Sequence, residues 1–260
     1  MNYFIHHRED VHSSNKAAEL SEMLEVAGHK HSAENPEVII TIGGDGTMLH
    51  AIHHYSDMLD KVKFVGIHTG TLGFFTDYTS EELSRFVDDY DNGYKIVSHP
   101  MIEARCYGGD GQLRHQVYAL NEARVENIIK TQTMKVNIND EFLEEFRGNG
   151  LCVSGQMGST AYNRSIGGAI IDDTLQALQL TEISGIHHRH YRSLKSPLVL
   201  NSKAHITFTS DSFEGAMLVY DYLNINLHQT KKIDIFFSDK VVNFIRFKDT
   251  SYYSRLRSLF

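Results

Sequence analysis

The run Val38-Ile39-Ile40-Thr41-Ile42, apolar on both of its alternating faces and closed by Gly43-Gly44, constrains the fold more than any other stretch of this chain. A strand with two apolar faces must be covered on both, as happens when helices flank a parallel sheet. The neighbouring sequence supplies those helices. Tyr3-Phe4-Ile5 reads as a short strand, and from Ser14 to Ala27 the residues Ala17, Leu20, Met23, Leu24 and Ala27 recur at helical spacing until Gly28 stops the pattern. Thr47 to Leu59 is again helix-like, with Leu49, Ile52 and Met58 apolar. Val62 to Ile67 forms a third buried strand, and its glycine-rich exit, His68 to Gly73, leads to a helix-like Ser80 to Tyr90. The first hundred residues are expected to form an α/β unit on a parallel sheet.

Beyond Pro100 the periodicity changes from helical to two-residue alternation, as in Val136-Asn137-Ile138 and Ile206-Thr207-Phe208. Antiparallel β-structure follows. Gly108 to Gly111 reads as a hairpin loop and Ile138-Asn139-Asp140 as another turn, while Ser159 to Leu180 contains helix-compatible pieces. A boundary is expected near residues 98–101, so that residues 1–99 form the α/β domain with the GGDGT loop and 100–240 a β-rich, β-sandwich-like domain. Two hundred and sixty residues at about 150 per domain are compatible with two modest cores. Tyr252 to Phe260 is expected to form a short amphipathic helix with Leu256 and Leu259 on one face.

Composition narrows the function classes. Hydrophobic residues at 41% and charged residues at 22% describe a folding chain rather than a disordered one. The charge of −8, with no run of five or six like charges, argues against nonspecific nucleic-acid binding. Sixteen histidines would carry that sum to +8 if all were protonated. Only two cysteines, Cys106 and Cys152, argue against a disulfide framework, and the N-terminus shows neither a basic leader nor an apolar export segment. The expected location is the cytoplasm, without a membrane span.

Three constellations have chemical potential. Gly43-Gly44-Asp45-Gly46-Thr47 joins a buried strand to a helix, at the end of a parallel strand where ligands of open α/β sheets bind. The glycines admit a phosphate, and the helix start offers free N–H groups. Asp45 fits phosphoryl transfer as a metal ligand or a proton acceptor, and it equally fits an ordinary helix N-cap. Asn121-Glu122, at the end of the strand-like Val117 to Leu120, suits ribose hydroxyls or an amide, and equally suits a solvated strand end. Gly158-Ser159-Thr160-Ala161-Tyr162-Asn163, followed by Ser165, could cradle a ribose and stack a base, or start a helix capped by Ser159. Neither a G-x-x-x-x-G-K-[ST] loop nor a G-x-G-x-x-G fingerprint after a strand is present. His50 with His54, and His187-His188 with His190, lack the H-E-x-x-H arrangement of a zinc site.

Taken together, GGDGT at 43–47, Asn121-Glu122, Phe146-Arg147-Gly148, GSTAYN at 158–163 and Gln179-Leu180-Thr181-Glu182 resemble a bacterial NAD kinase, over residues 38 to 225. The resemblance implies a Rossmann-like N-terminal domain, a dinucleotide-binding β-rich domain over 100–240, and residues 241–260 returning to the first domain. It implies transfer of the γ-phosphoryl group of ATP, with Mg²⁺, to the 2′-hydroxyl of the adenosine ribose of NAD, by a cytoplasmic homotetramer. Asp45 would be the general base, with Gly44, Gly46, Thr47 and Phe74 against the substrates. Asn121 and Glu122 would bind NAD; Thr160, Ala161, Tyr162, Asn163 and Ser165 its adenosine region; Arg147, Asn149 and Ser184 the remainder. Asp221, a carboxylate interrupting the strand-like Val219 to Tyr222, either reaches the ligand or sits at a bulge.

Two departures stand out. Where the family usually carries a Ser/Thr- and Pro-containing segment, this chain has Gly155-Gln156-Met157, which predicts a looser, less polar loop. Asn149 stands where the family usually has Asp, losing a charge and gaining a donor. They motivate one alternative, a dinucleotide-binding protein with weak or lost kinase activity. A lipid kinase is a further alternative resting on GGDGT alone.

Overall fold

In the computed structural model, residues 1–70, 72–187, 193–247, 251–257 and 259 are described. The chain divides into two compact units, residues 1–99 with 240–260, and residues 100–239.

The first unit is built on strands β1 (Asn2–His7), β2 (Lys30–His31), β3 (Val38–Ile42), β4 (Lys63–His68) and β5 (Thr76–Thr79). They lie in the order β2-β1-β3-β4, all parallel, with β5 also parallel to β4. All five residues of β3 are buried, as a strand apolar on both faces requires. Helices α1 (Val11–Val26), α2 (Asp45–His54) and α3 (Leu83–Asn92) alternate with the strands. α1 starts where the Asp10 carboxylate accepts the Ser13 N–H at 2.9 Å, an N-cap that sets the first turn three residues before the expected Ser14. α2 begins at Asp45, two residues earlier than Thr47, and stops at His54, although Leu59 beyond it is buried. α3 starts at Leu83 because Glu82 reaches back to accept the Thr79 N–H at 2.9 Å, closing a turn over the expected Ser80 start. Tyr3, Leu20, Leu24, Ile40, Val65, Tyr78 and Phe86 share one core.

The second unit contains β6 (Lys95–Gly108, entering from the first unit), β7 (Leu113–Ala119), β8 (Glu122–Glu126), β9 (Gln132–Ile138), β10 (Glu141–Gly148) and β11 (Gly150–Ser154). β12 (Ala177–Ile183), β13 (Leu198–Asn201), β14 (Ile206–Thr209), β15 (Met217–Tyr220), β16 (Leu223–Asn226) and β17 (Thr230–Arg246) follow, the last running back into the first unit. One antiparallel sheet has the order β13-β12-β11-β8-β15-β16. Strands β10-β9-β14-β17 and the β6–β7 hairpin form the opposing layer. Val125, Leu151 and Leu180 from one layer and Val136, Phe208 and Ile235 from the other bury together, the core of a β-sandwich. Asn139 and Asp140, at φ 51° and 67°, make the two-residue β9–β10 turn, a backbone state these two residue types tolerate.

Three local expectations change. Ser159 to Leu180 yields only the short turns Met157–Thr160 and Tyr162–Ser165 before β12 begins at Ala177. The C-terminal helix, Tyr252–Arg257, buries Arg255 rather than a leucine face, because Arg255 has an ionic partner beneath it. Asp221 occupies the two-residue turn between β15 and β16, not a bulge. Cys106 and Cys152 are both free and buried.

Candidate active site

In the first unit, Gly44 is the N-cap of α2 and makes no side-chain cap, so Asp45 is the first residue of the helix rather than its cap. Its carboxylate turns instead to another loop. Oδ2 accepts the Phe74 N–H and Oδ1 the Phe75 N–H, both at 3.0 Å. That leaves each oxygen with a further lone pair, so the group is both fixed in direction and able to take a proton. Gly73 permits the arrangement: a Cβ there would stand 2.2 Å from Asp45 Oδ1. Phe74, expected against the substrate, thus meets Asp45 through its backbone.

Gly44, Gly46 and Thr47 line a cleft of about 560 Å³ with His6, His7, Arg8, Glu9 and His50. Arg8, ion-paired with Asp10 at 2.8 Å, stands beside the glycines, a residue that no motif indicated. His6 stacks on His50 at 5.4 Å and lies 6.2 Å from His54. Burial, and then the neighbouring imidazoles, lower His6 to about 4, so it is neutral at pH 7. Among the described residues, no group of three or more His, Cys, Asp or Glu side chains could hold a metal ion. His188 and His190 lie outside the described residues.

In the second unit, the start of β8 and the segment after β11 come together. The Asn121 carbonyl accepts the Gly155 N–H at 3.1 Å, and Gly158 packs so closely that a Cβ would sit 2.0 Å from that same oxygen. Asp221 accepts the Leu120 and Asn121 N–H groups at 2.9 and 2.8 Å. Glu122 is 3% exposed; burial, then the Asp221 charge, push its carboxyl up to about 8 despite Arg124 at 3.5 Å. It therefore holds a proton at pH 7. The Arg124 guanidinium lies 3.8 Å from the Tyr162 ring centre. Asn163 accepts from Thr181 Oγ1 at 2.7 Å.

Four buried polar atoms here have no protein partner: Asn121 Oδ1, Glu122 Oε2, Gln156 Oε1 and Asn163 Nδ2. Such atoms are costly unless something else satisfies them, and four of them gather in residues 121–122 and 156–163. The expected looseness of Gly155-Gln156-Met157 is not what the packing shows. Gln156 and Met157 are buried, and a Cβ on Gly155 would stand 3.2 Å from the Phe237 ring.

The remaining expected residues are placed differently. Thr160 and Ala161 are half-buried, and Thr160 Oγ1 donates to the Met157 carbonyl at 3.5 Å. Ser165 and Ser184 are exposed, Ser184 with φ 49°. Asn149 is absorbed by the fold, its side-chain amide donating to the Asn127 carbonyl at 3.1 Å. Arg147 lines a polar cleft of about 530 Å³ with Lys130, Gln132, Lys135 and Ser210.

A carboxylate steered by two backbone donors is more than a helix cap needs. Beside glycines at the carboxyl end of a parallel strand, it can accept a hydroxyl proton while phosphates lie on the glycine amides, which is the work of a nucleotide-dependent phosphotransferase. The ATP-NAD kinase N-terminal domain matches residues 3–94, and the ATP-NAD kinase C-terminal domain matches residues 119–247. The chain belongs to the ATP-NAD kinase family. It is 38% identical over 242 residues to the NAD kinase of Lactobacillus gasseri, covering 93% of this chain and 90% of that one. It is also 38% identical over 250 residues to the NAD kinase of Levilactobacillus brevis, covering 95% and 93%. A yeast NADH kinase solved with NADH shares the fold at a TM-score of 0.86 and 19% identity, over 100% of this chain and 87% of that one. An Archaeoglobus fulgidus NAD kinase solved with ATP does so at 0.77 and 21%, over 99% of both. These matches favour neither the non-catalytic alternative nor a lipid kinase. No helix among the described residues is long and apolar enough to cross a membrane.

Proposed function

We propose that this chain phosphorylates the 2′-hydroxyl of the adenosine ribose of NAD with ATP, and that Asp45 is its general base. The ribose oxygen forms a bond to the γ-phosphorus, the bond from that phosphorus to the β–γ bridging oxygen breaks, ADP leaves, and the hydroxyl proton passes to Asp45. What carries the reading is the pair of hydrogen bonds from Phe74 and Phe75, which fix the carboxylate and leave lone pairs for the hydroxyl. Gly44, Gly46 and Thr47, with Arg8 beside them, offer amides and a positive charge to phosphates.

In the second unit, Asn121 and protonated Glu122 offer one acceptor and one donor to the dinucleotide, a pair that suits ribose hydroxyls, which both give and take hydrogen bonds. Tyr162, backed by Arg124, offers a ring face to a base. Thr160, Ala161, Asn163 and Ser165 complete the adenosine contacts, and Arg147 and Ser184 act around the rest of the molecule, while Asn149 and Asp221 serve it indirectly by bonding the backbone at Asn127, Leu120 and Asn121. Mg²⁺, a hard cation for which one or two carboxylates and substrate phosphates suffice, would accompany ATP and neutralise charge on its phosphates. Family resemblance extends the proposal to a cytoplasmic homotetramer, which light scattering on the purified protein tests.

The deciding experiment is an assay of NADP formed from NAD, ATP and Mg²⁺, with Asp45→Asn as comparison. Loss of a general base should lower turnover roughly 10²- to 10⁴-fold while the variant stays folded. Unchanged turnover removes Asp45 from the role. A folded wild-type chain that binds NAD in calorimetry yet makes no product with any phosphoryl donor would overturn the kinase reading.

A further inference from the structure

The Phe74–Phe75 peptide group has both ends occupied. Its N–H, on Phe75, donates to Asp45 Oδ1 at 3.0 Å. Its carbonyl, on Phe74, accepts from two guanidinium groups, Arg255 Nη1 at 3.0 Å and Arg246 Nη2 at 3.2 Å. In a trans peptide these two dipoles point in opposite directions, so one rigid plane connects the arginines to the carboxylate. Positive charge on the carbonyl side fixes that plane and polarises it, which makes the N–H a stronger and better-directed donor.

The arginines are themselves held. Both reach Asp77 Oδ1, Arg246 at 2.8 Å and Arg255 by its Nη2, and Arg255 Nη1 also donates to the Thr76 carbonyl at 2.5 Å. The Asp77 side chain is fully buried and Arg255 is 5% exposed. Besides Asp77, each arginine donates to backbone carbonyls of the segment that faces Asp45, Arg246 to Phe74 and Arg255 to Phe74 and Thr76. Burying ions is a poor way to gain stability compared with apolar packing, so a second buried guanidinium calls for another reason. Its contacts with the loop supply one.

Resting on the reading of Asp45 as general base, we propose that Arg255 and Arg246 are positioning residues for it, acting through the Phe74–Phe75 peptide, so that the last helix of the chain helps aim the carboxylate. Arg255 has the larger role because it holds two loop carbonyls, those of Phe74 and Thr76.

The test is steady-state kinetics of NADP formation on Arg255→Met, Arg255→Lys and Arg246→Met, each with its melting temperature. Arg255→Met should lose roughly 30-fold in kcat, within the hundredfold that a small misplacement can cost, with KM for NAD changed less than about twofold. Arg246→Met should lose less. Arg255→Lys, keeping charge but not the fork, should recover part of the loss. A purely structural role is separated in two ways. Leu24→Ala, in the core under α1, should lower the melting temperature comparably and leave kcat unchanged. In an Asp45→Asn background, Arg255→Met should reduce the residual rate no further, since the arginine acts through the missing base. Unchanged kcat in folded Arg255→Met, or the same fractional loss in both backgrounds, overturns this proposal alone. If Arg255→Met does not fold, Arg255→Lys and Arg246→Met decide it by the same comparison. A wild-type protein that makes no NADP overturns the kinase reading and this inference together.

Discussion

The two units bury polar chemistry in contrasting ways. In the first, Asp77 meets two guanidinium groups, the adjoining carbonyls are bonded, and Asp45 is held by two amides; the unpartnered Asp77 Oδ2 has a sister oxygen that carries both arginines. In the second, Asn121 Oδ1, Glu122 Oε2, Gln156 Oε1 and Asn163 Nδ2 have no protein partner, and Glu122 keeps its proton. On the proposed reading, the base is fixed in advance by its own fold, whereas the groups that would receive the ligand are left without a protein partner.

Matched glycine substitutions sharpen that contrast most strongly. Gly158→Ala would drive a methyl group into the rigid Asn121 backbone and should cost about 4 kcal/mol or more, read as a lowered unfolding midpoint and lost NAD binding. In Gly73→Ala the nearest atoms are those of the Asp45 carboxylate, which can swing away at the loss of its two amide hydrogen bonds, so stability should fall far less, by about 2 kcal/mol, while kcat falls by up to about 100-fold. If both variants failed in the same manner, the division between fixed and receptive halves would not stand.

The pH dependence of stability should differ in sign between the units. His6 and His99 are both lowered to about 4, His6 by burial and its neighbouring imidazoles, and His99 by burial and then the Arg246 charge. Folded, they bind fewer protons than the unfolded chain below their ordinary 6.5, so the first unit loses stability as pH falls from 6.5 towards 4. Glu122 is raised to about 8, and Glu144 to about 7 by burial and then the Glu182 charge. Folded, they keep protons that the unfolded chain releases above 4.5, so the second unit loses stability as pH rises from 4.5 towards 8. At about 1.4 kcal/mol per pKa unit, the well-buried His99 and Glu122 should contribute on the order of 3 and 5 kcal/mol across their windows. Hydrogen exchange resolved by unit at pH 5, 6.5 and 8 checks this, and Glu122→Gln should flatten the second slope. Parallel slopes would contradict the assignment.

The smallest effect is expected at Asn149. Replacement by Asp removes the amide that donates to the Asn127 carbonyl, at about 1 kcal/mol, and should move the thermal midpoint slightly with little change in turnover.

Legibility in the sequence followed distance along the chain. Val38 to Ile42 announced a buried parallel strand, Asn139-Asp140 the turn between β9 and β10, and GGDGT the loop between β3 and α2, because each is determined by residues within a few positions of one another. The donors to Asp45 lie 29 and 30 residues away, and although Gly73 ended a visible glycine-rich stretch, nothing local said what it would press against. Arg255 is 178 residues from Asp77, and the leucines at 256 and 259 suggested a different buried face for its helix. Gly155-Gln156-Met157 read as loose because Phe237, which packs against it, is remote in sequence.

Local periodicity and turn chemistry were enough for the strand-and-helix alternation, for the change to antiparallel structure after Pro100 and for the residue types of the GGDGT loop, since these are properties of short stretches of chain. Packing alone settled which backbone amides fix Asp45, that Asp221 accepts the Leu120 and Asn121 amides, and that the Glu122 carboxyl is pushed up to about 8. Those outcomes depend on desolvation and on hydrogen-bond geometry between distant segments, and both come into being only when the segments pack.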